Sequence, residues 1–260
     1  MKPLAWVAGA LLLAAPVSEA EMVRIGPGTY RPIYPPSPAE AEVPLGAFRL
    51  DRRPVTNAEF LEFVRRYPRW QKDRVSRLFA DSTYLNHWEG SLELGQAKPQ
   101  QPVTQVSWFA ARAYCQSRGA RLPTEAEWEF AASASQKSAD GRSEPGYVER
   151  ILSWYSRPTP KVLPDVGQTP ANFWGVRDLH GLVWEWVSDF GNTMISGDSR
   201  DGADPDKQKF CGEGAANSGS KSDYASFMRI AFRNSLQAPY ALKNLGFRCA
   251  RDLSSNRGTR

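Results

Sequence analysis

The chain has 260 residues, with 33 Lys and Arg against 28 Asp and Glu, two His and three Cys, for a formal net charge of +5. Its length fits one large domain or two small ones, and 41% hydrophobic with 23% charged residues is an ordinary globular composition. Two His exclude a three-His metal site within the chain, and three Cys exclude a four-cysteine zinc site and leave at least one thiol unpaired within it.

Met1-Lys2 is a short basic start, Leu4 to Val17 an apolar run, and Ser18-Glu19-Ala20 places small residues at both positions that a signal peptidase reads. This predicts a secretory signal peptide, residues 1–20, cleaved after Ala20. The run is shorter than the ~20 apolar residues a membrane span needs. No later stretch approaches that length, so no transmembrane segment is expected after cleavage, and the mature chain is expected to be periplasmic or secreted. Disulfides are permitted there. The net charge stays at +5 without residues 1–20, and no basic block exceeds two residues, which argues against a nucleic-acid partner.

Residues 21–55 read as strands and turns: MVRIG extended, PGTY a turn, IYPPSPAEAEVP a proline-rich connection, GAFRLDRRPV extended again. Three helix starts follow. Thr56 with Glu59, and Thr124 with Glu127, have the spacing of capping boxes, in which hydroxyl and carboxylate each satisfy a free backbone N–H. Ser107 opens the helix WFAARAYCQSR, which Gly119 ends. The second half shows little helical periodicity: residues 133–147 and 191–223 are rich in Gly, Ser, Asp and Lys, while DYASFMRIAFRNS and NLGFRCARD read as strands. Trp108, Trp128, Trp184 and Trp186 are expected in the core. Trp70, Trp88, Trp154 and Trp174 read as loop residues available to line a groove for a peptide or aromatic ligand.

Five blocks recur in a fixed order: RRPVTNAEFLEFV (52–64), QPVTQVSWFAARAYC (101–115), RLPTEAEWEFAA (121–132), GVRDLHGLVWEWVSD (175–189) and NLGFRCARD (244–252). Together they resemble the formylglycine-generating enzyme, or sulfatase-modifying factor, family. That family contains oxidases of a sulfatase Cys, non-heme iron sulfoxide synthases, a siderophore-maturation oxidase and nitrite-reductase accessory proteins. The resemblance implies a loop-rich α+β fold, similar to C-type lectins, in a single domain over residues 21–260.

It also implies site residues. Counting back from NLGFRC, the family's two copper-binding catalytic cysteines fall on Ser220 and Ala225, neither able to supply the soft thiolate that copper(I) takes. Tyr224, Arg229 and Arg233 match neighbouring pocket positions, and Asn244 matches the active-site Asn. The iron branch needs three His, and only His87 and His180 exist. Both read as loop or second-layer residues rather than ligands.

In DLHGLVWEW the resemblance implies a structural calcium held by Asp178, the carbonyls of Gly181 and Val183, and Glu185, all hard oxygen donors. The alternative is that Asp178 caps a turn and Glu185 pairs with an Arg. Cys115 and Cys249 match a pair that is disulfide-bonded in the family. Cys211 is left over, either an inert small side chain or a reactive thiol or soft metal ligand. These residues lead to the expectation of an accessory or maturation factor acting on a periplasmic protein or peptide partner, for example a redox or nitrite-reductase system, and not a standard Cys-to-formylglycine oxidase. The alternatives are a copper- or other metal-dependent oxidase using Cys211, and a lectin-like binding module.

Overall fold

The computed structural model of the chain describes residues 21–32, 41–191 and 221–253. Both capping boxes form as their spacing predicts. Thr56 Oγ1 accepts from Glu59 N and the Glu59 carboxylate accepts from Thr56 N at 2.7 Å, opening α1, Asn57–Arg66. Thr124 and Glu127 do the same for α3, Glu125–Ala132. Between them Ser107 caps α2, Trp108–Ser117. Gly119 takes a φ of +63° just past its end, a backbone state that a side chain disfavours.

Short strands tie the ends of the chain together. β1 (Met22–Ile25), β4 (Phe48–Asp51) and β7 (Ala250–Asp252) form an antiparallel sheet in the order β1-β4-β7. β2 (Gly28–Tyr30) pairs with β3 (Val43–Leu45), and β5 (Trp184–Glu185) runs parallel to β6 (Leu245–Gly246). Residues 28–30, expected as a turn, are therefore a strand, since Gly28 to Tyr30 find ladder partners in Leu45 to Val43.

The larger departure lies in the second half. Tyr147–Tyr155 is a helix, α4, and Lys221–Asn234 is a helix, α5, where strands were expected for DYASFMRIAFRNS. Ala225, Phe227 and Arg229 are buried and alternate with less buried Ser226 and Met228, but Ile230 is buried next to Arg229, which breaks a strand period. The helical period wins because Arg229 and Arg233, one turn apart, both reach Glu129 on α3. Trp154, read as a loop residue, consequently stands on α4 and packs on Trp184.

The main core is aromatic. Phe60 and Phe63 of α1 meet Tyr114 of α2, and Phe60 also meets Trp88 and Phe247 edge-on. Trp128, Phe48, Leu50, Leu179 and Val187 form a second cluster beside it. Gly246 sits where a Cβ would come within 2.7 Å of the Val103 carbonyl, so the NLGF run passes its neighbour only as glycine. Cys115 and Cys249 form a disulfide across 134 positions, joining α2 to the residue just before β7. A ring that long is worth about 4–5 kcal/mol on a loop-closure account.

Candidate functional site

The expected pocket residues separate into two environments. The first centres on Glu129. α3 carries Glu125 and Glu129, α5 carries Arg229 and Arg233, and both pairs are spaced i, i+4, so each pair lies on one helix face. Arg229 meets Glu129 through Nε at 2.9 Å and Nη2 at 2.6 Å, and donates from Nη1 to Tyr155 Oη at 2.9 Å. Arg233 Nη1 adds a bond to Glu129 at 2.8 Å while its guanidinium lies 4.4 Å from the centre of the Trp128 ring. Burial alone would raise the Glu129 carboxyl. The two guanidiniums outweigh it and hold the group down at about 2. Arg229 and Ala225 line a cavity of about 140 Å³ together with Glu129, Tyr30, Tyr147 and Ser226.

Ala225, where the resemblance puts a catalytic thiolate, is a buried methyl packed with Tyr147, Val148 and Ile151. Arg233 is sealed in the core, and Tyr224 is exposed. Ser220 and Cys211 lie outside the described residues.

Asn244 stands elsewhere. The parallel β5–β6 pair fixes it, with Trp184 N donating to its carbonyl at 2.8 Å. Its side chain lines a separate open cleft of about 760 Å³, within the size range of small-ligand and peptide sites. Side-chain amides dominate that wall: Asn57, Asn86, Gln96, Gln101, Gln105 and Asn244. Gln101 is anchored by donating to Leu163 O at 2.5 Å and accepting from Lys98 N, and Asn57 by donating to Lys98 O and accepting from Trp88 Nε1 at 3.0 Å. Among the described residues the Asn244 side chain makes only a long contact, 3.5 Å, with Thr159. Lys161 and Lys243 complete the lining, and among the described residues no carboxylate does.

His87 also lines the cleft. Its Nε2–H donates to Asn57 at 3.3 Å, its buried Nδ1 has no partner among the described residues, and burial pulls the ring down to about 4. His180 is elsewhere: Nε2–H donates to Ala132 O at 2.9 Å, and burial, then the Arg229 charge, lower the ring to about 3. Both imidazoles are neutral near pH 7.

The residues expected to bind calcium have other partners. Glu185 is fully buried and forked to Arg248, Nε to Oε2 and Nη2 to Oε1 at 2.7 Å each, and also accepts from Trp128 Nε1 at 2.7 Å. Asp178, at a φ of +60°, accepts from Thr169 N and Oγ1 with one oxygen and from Gly167 N with the other. Gly181 and Val183 lie in and after the turn between them. A cation beside Glu185 would face the Arg248 guanidinium in the buried interior, where like charges repel strongly. As placed, these side chains do not fit a calcium ion. Among the described residues no group of three or more His, Cys, Asp or Glu side chains gathers at one point.

An Arg partner for Glu185 was the alternative to calcium, and Arg248 fills that role, but neither its identity nor the part played by Glu129 was expected from sequence. The matched i, i+4 spacing in EAEWE and RIAFR was a visible signal for Glu129. Nothing local marks Arg248.

The fold and the blocks around these sites define a loop-rich α+β protein of the formylglycine-generating type. Similarity bears this out. The family profile described as the sulfatase-modifying factor enzyme 1-like domain matches residues 10–253. The formylglycine-generating enzyme of Streptomyces coelicolor is 32% identical over 271 residues, covering 85% of each chain. The inactive C-alpha-formylglycine-generating enzyme 2 of Bos taurus is 32% identical, covering 80% of this chain and 78% of that one. Among solved structures, PvdO from Pseudomonas aeruginosa superposes with a TM-score of 0.51 at 20% identity, covering 89% and 94%. The chain belongs to the sulfatase-modifying factor family.

Proposed function

We propose that this chain is an exported maturation or accessory factor that holds a segment of a partner protein in the amide-lined cleft, and that it does not convert Cys to formylglycine. The carrying observation is the cleft itself: Asn244 lines an open, amide-rich wall with two lysines, while Ala225, at a position the resemblance gives to a catalytic thiol, is a buried methyl. Amides suit this task because each one not bonded within the fold, as at exposed Asn86 and Gln96 and half-buried Asn244, offers a donor and an acceptor to a peptide backbone. The Lys161 and Lys243 charges favour a segment that is anionic or ends in a carboxylate. Export is supported by the basic start, apolar run and small residues of the first twenty positions. One similar protein is itself named an inactive formylglycine-generating enzyme, which accords with a family member that keeps the fold without that chemistry.

The test has two arms. A peptide carrying a sulfatase Cys, incubated with the purified chain under oxygen with and without copper, should return unchanged by mass spectrometry. The partner proteins crosslinked to the mature chain in the periplasm should be lost on Asn244→Ala. Conversion of the peptide would overturn the reading. Stoichiometric copper that disappears on Cys211→Ala would replace it with the oxidase reading.

A further inference from the structure

On α2 and the segment after α1 lies a second concavity that shares no residue with the amide cleft. It is a slot of about 420 Å³ with an aromatic wall and a cationic rim. Phe79 packs against Phe109 with ring centres 5.2 Å apart and against Trp70 at 6.0 Å. Phe79 is 44% exposed and Leu78 beside it 78% exposed. Arg69, Arg74 and Arg112 line the slot and are all exposed, and among the described residues none of the three is held in an ion pair. Arg69 lies over the Trp70 ring at 5.5 Å and Arg112 over Trp108 at 5.2 Å, so both guanidiniums are steadied by stacking. Trp70 is 7% exposed, yet among the described residues its Nε1–H has no partner. Residues 65–77 hold six basic side chains and a single acid, Asp73, which accepts from Ser91 Oγ at 2.5 Å.

We infer that this slot docks a protein segment carrying one aromatic or large aliphatic side chain flanked by carboxylates. Charge complementarity selects the occupant. Three exposed guanidiniums, two of them stacked on rings, around a slot without carboxylates match the planar fork of Asp or Glu, and the ring wall matches an apolar anchor. The concavity favours an inserted side chain over a flat membrane surface. The inference is independent of the amide cleft.

The probe is the peptide acetyl-Asp-Glu-Phe-Glu-Asp-amide, titrated calorimetrically into the mature chain. Saturable one-to-one binding is expected, weakening as salt rises. It should weaken at least tenfold with Arg74→Glu/Arg112→Glu, an exposed pair whose unchanged melting curve reports an intact fold. Asn244→Ala should leave it unaltered, and the peptide with Lys in place of each acid should not bind. Absence of saturable binding, or equal affinity for the double variant, overturns the inference. So does cosedimentation with phosphatidylglycerol vesicles in place of peptide binding, which would make the patch a lipid contact.

Discussion

Two polar regions of this molecule meet opposite fates. Around Glu129 the charged groups are sealed, and each carboxylate oxygen faces a guanidinium. In the cleft around Asn244, buried and bonded Asn57, Gln101 and Gln105 stand beside exposed Asn86 and Gln96 and half-buried Asn244, and among the described residues no carboxylate lines it opposite the lysines. A buried ion pair loses hydration and recovers it only through its partners, so removing one partner is costly. An exposed amide is already solvated, so its loss costs the fold little. The first region holds α3 to α5, and the second is free to meet a ligand.

The contrast can be broken at its strong end first. Cys115→Ser, which opens the 134-position ring, should cost roughly 4 kcal/mol in denaturant unfolding. Glu129→Gln leaves Arg229 and Arg233 facing a neutral amide and should cost about 3–5 kcal/mol. A loss below about 1 kcal/mol would show that the cluster is solvated after all.

The histidines sharpen the comparison through pH. Both rings titrate below the free imidazole value of 6.5, at about 4 and about 3, so the unfolded chain takes up protons before the folded one. Their contribution to stability is complete above pH 6.5 and is lost as pH falls through 4 and then 3. Asp51, raised to about 6 by burial against the pull of Arg118, acts in the opposite sense, favouring the folded state at low pH. The decisive measurement is therefore a difference: His180→Gln should flatten the acid-side fall of the melting temperature relative to the parent.

At the weak end, Lys161→Glu and Asn244→Ala should each change stability by less than about 0.5 kcal/mol while abolishing partner capture. Saturating calcium should leave the melting temperature unmoved, because Glu185 is forked to Arg248. A rise of several degrees would show that the fork opens for the ion.

How much of this could be read in advance follows the range of each interaction. Thr56 with Glu59 and Thr124 with Glu127 declare their helix starts because a capping box is closed by groups three residues apart. DYASFMRIAFRNS, expected as strand, is helix α5, because the partner that fixes its face, Glu129, lies 100 positions away. The pocket inferred from the resemblance placed Arg229 and Asn244 together, whereas the two line different cavities. The Cys115–Cys249 disulfide came from the resemblance, and spacing alone would not have chosen it among three cysteines.

By itself the sequence determined the family, the three N-terminal helix starts and the absence of a thiol at positions 220 and 225, because each is written in residue identity or in contacts within one helical turn. Only the tertiary structure decided which charges neutralise one another. Glu185 with Arg248 and Glu129 with Arg229 and Arg233 are joined across 63 to 104 positions, and whether a buried carboxylate serves a cation site or an ion pair depends on what the fold brings against it.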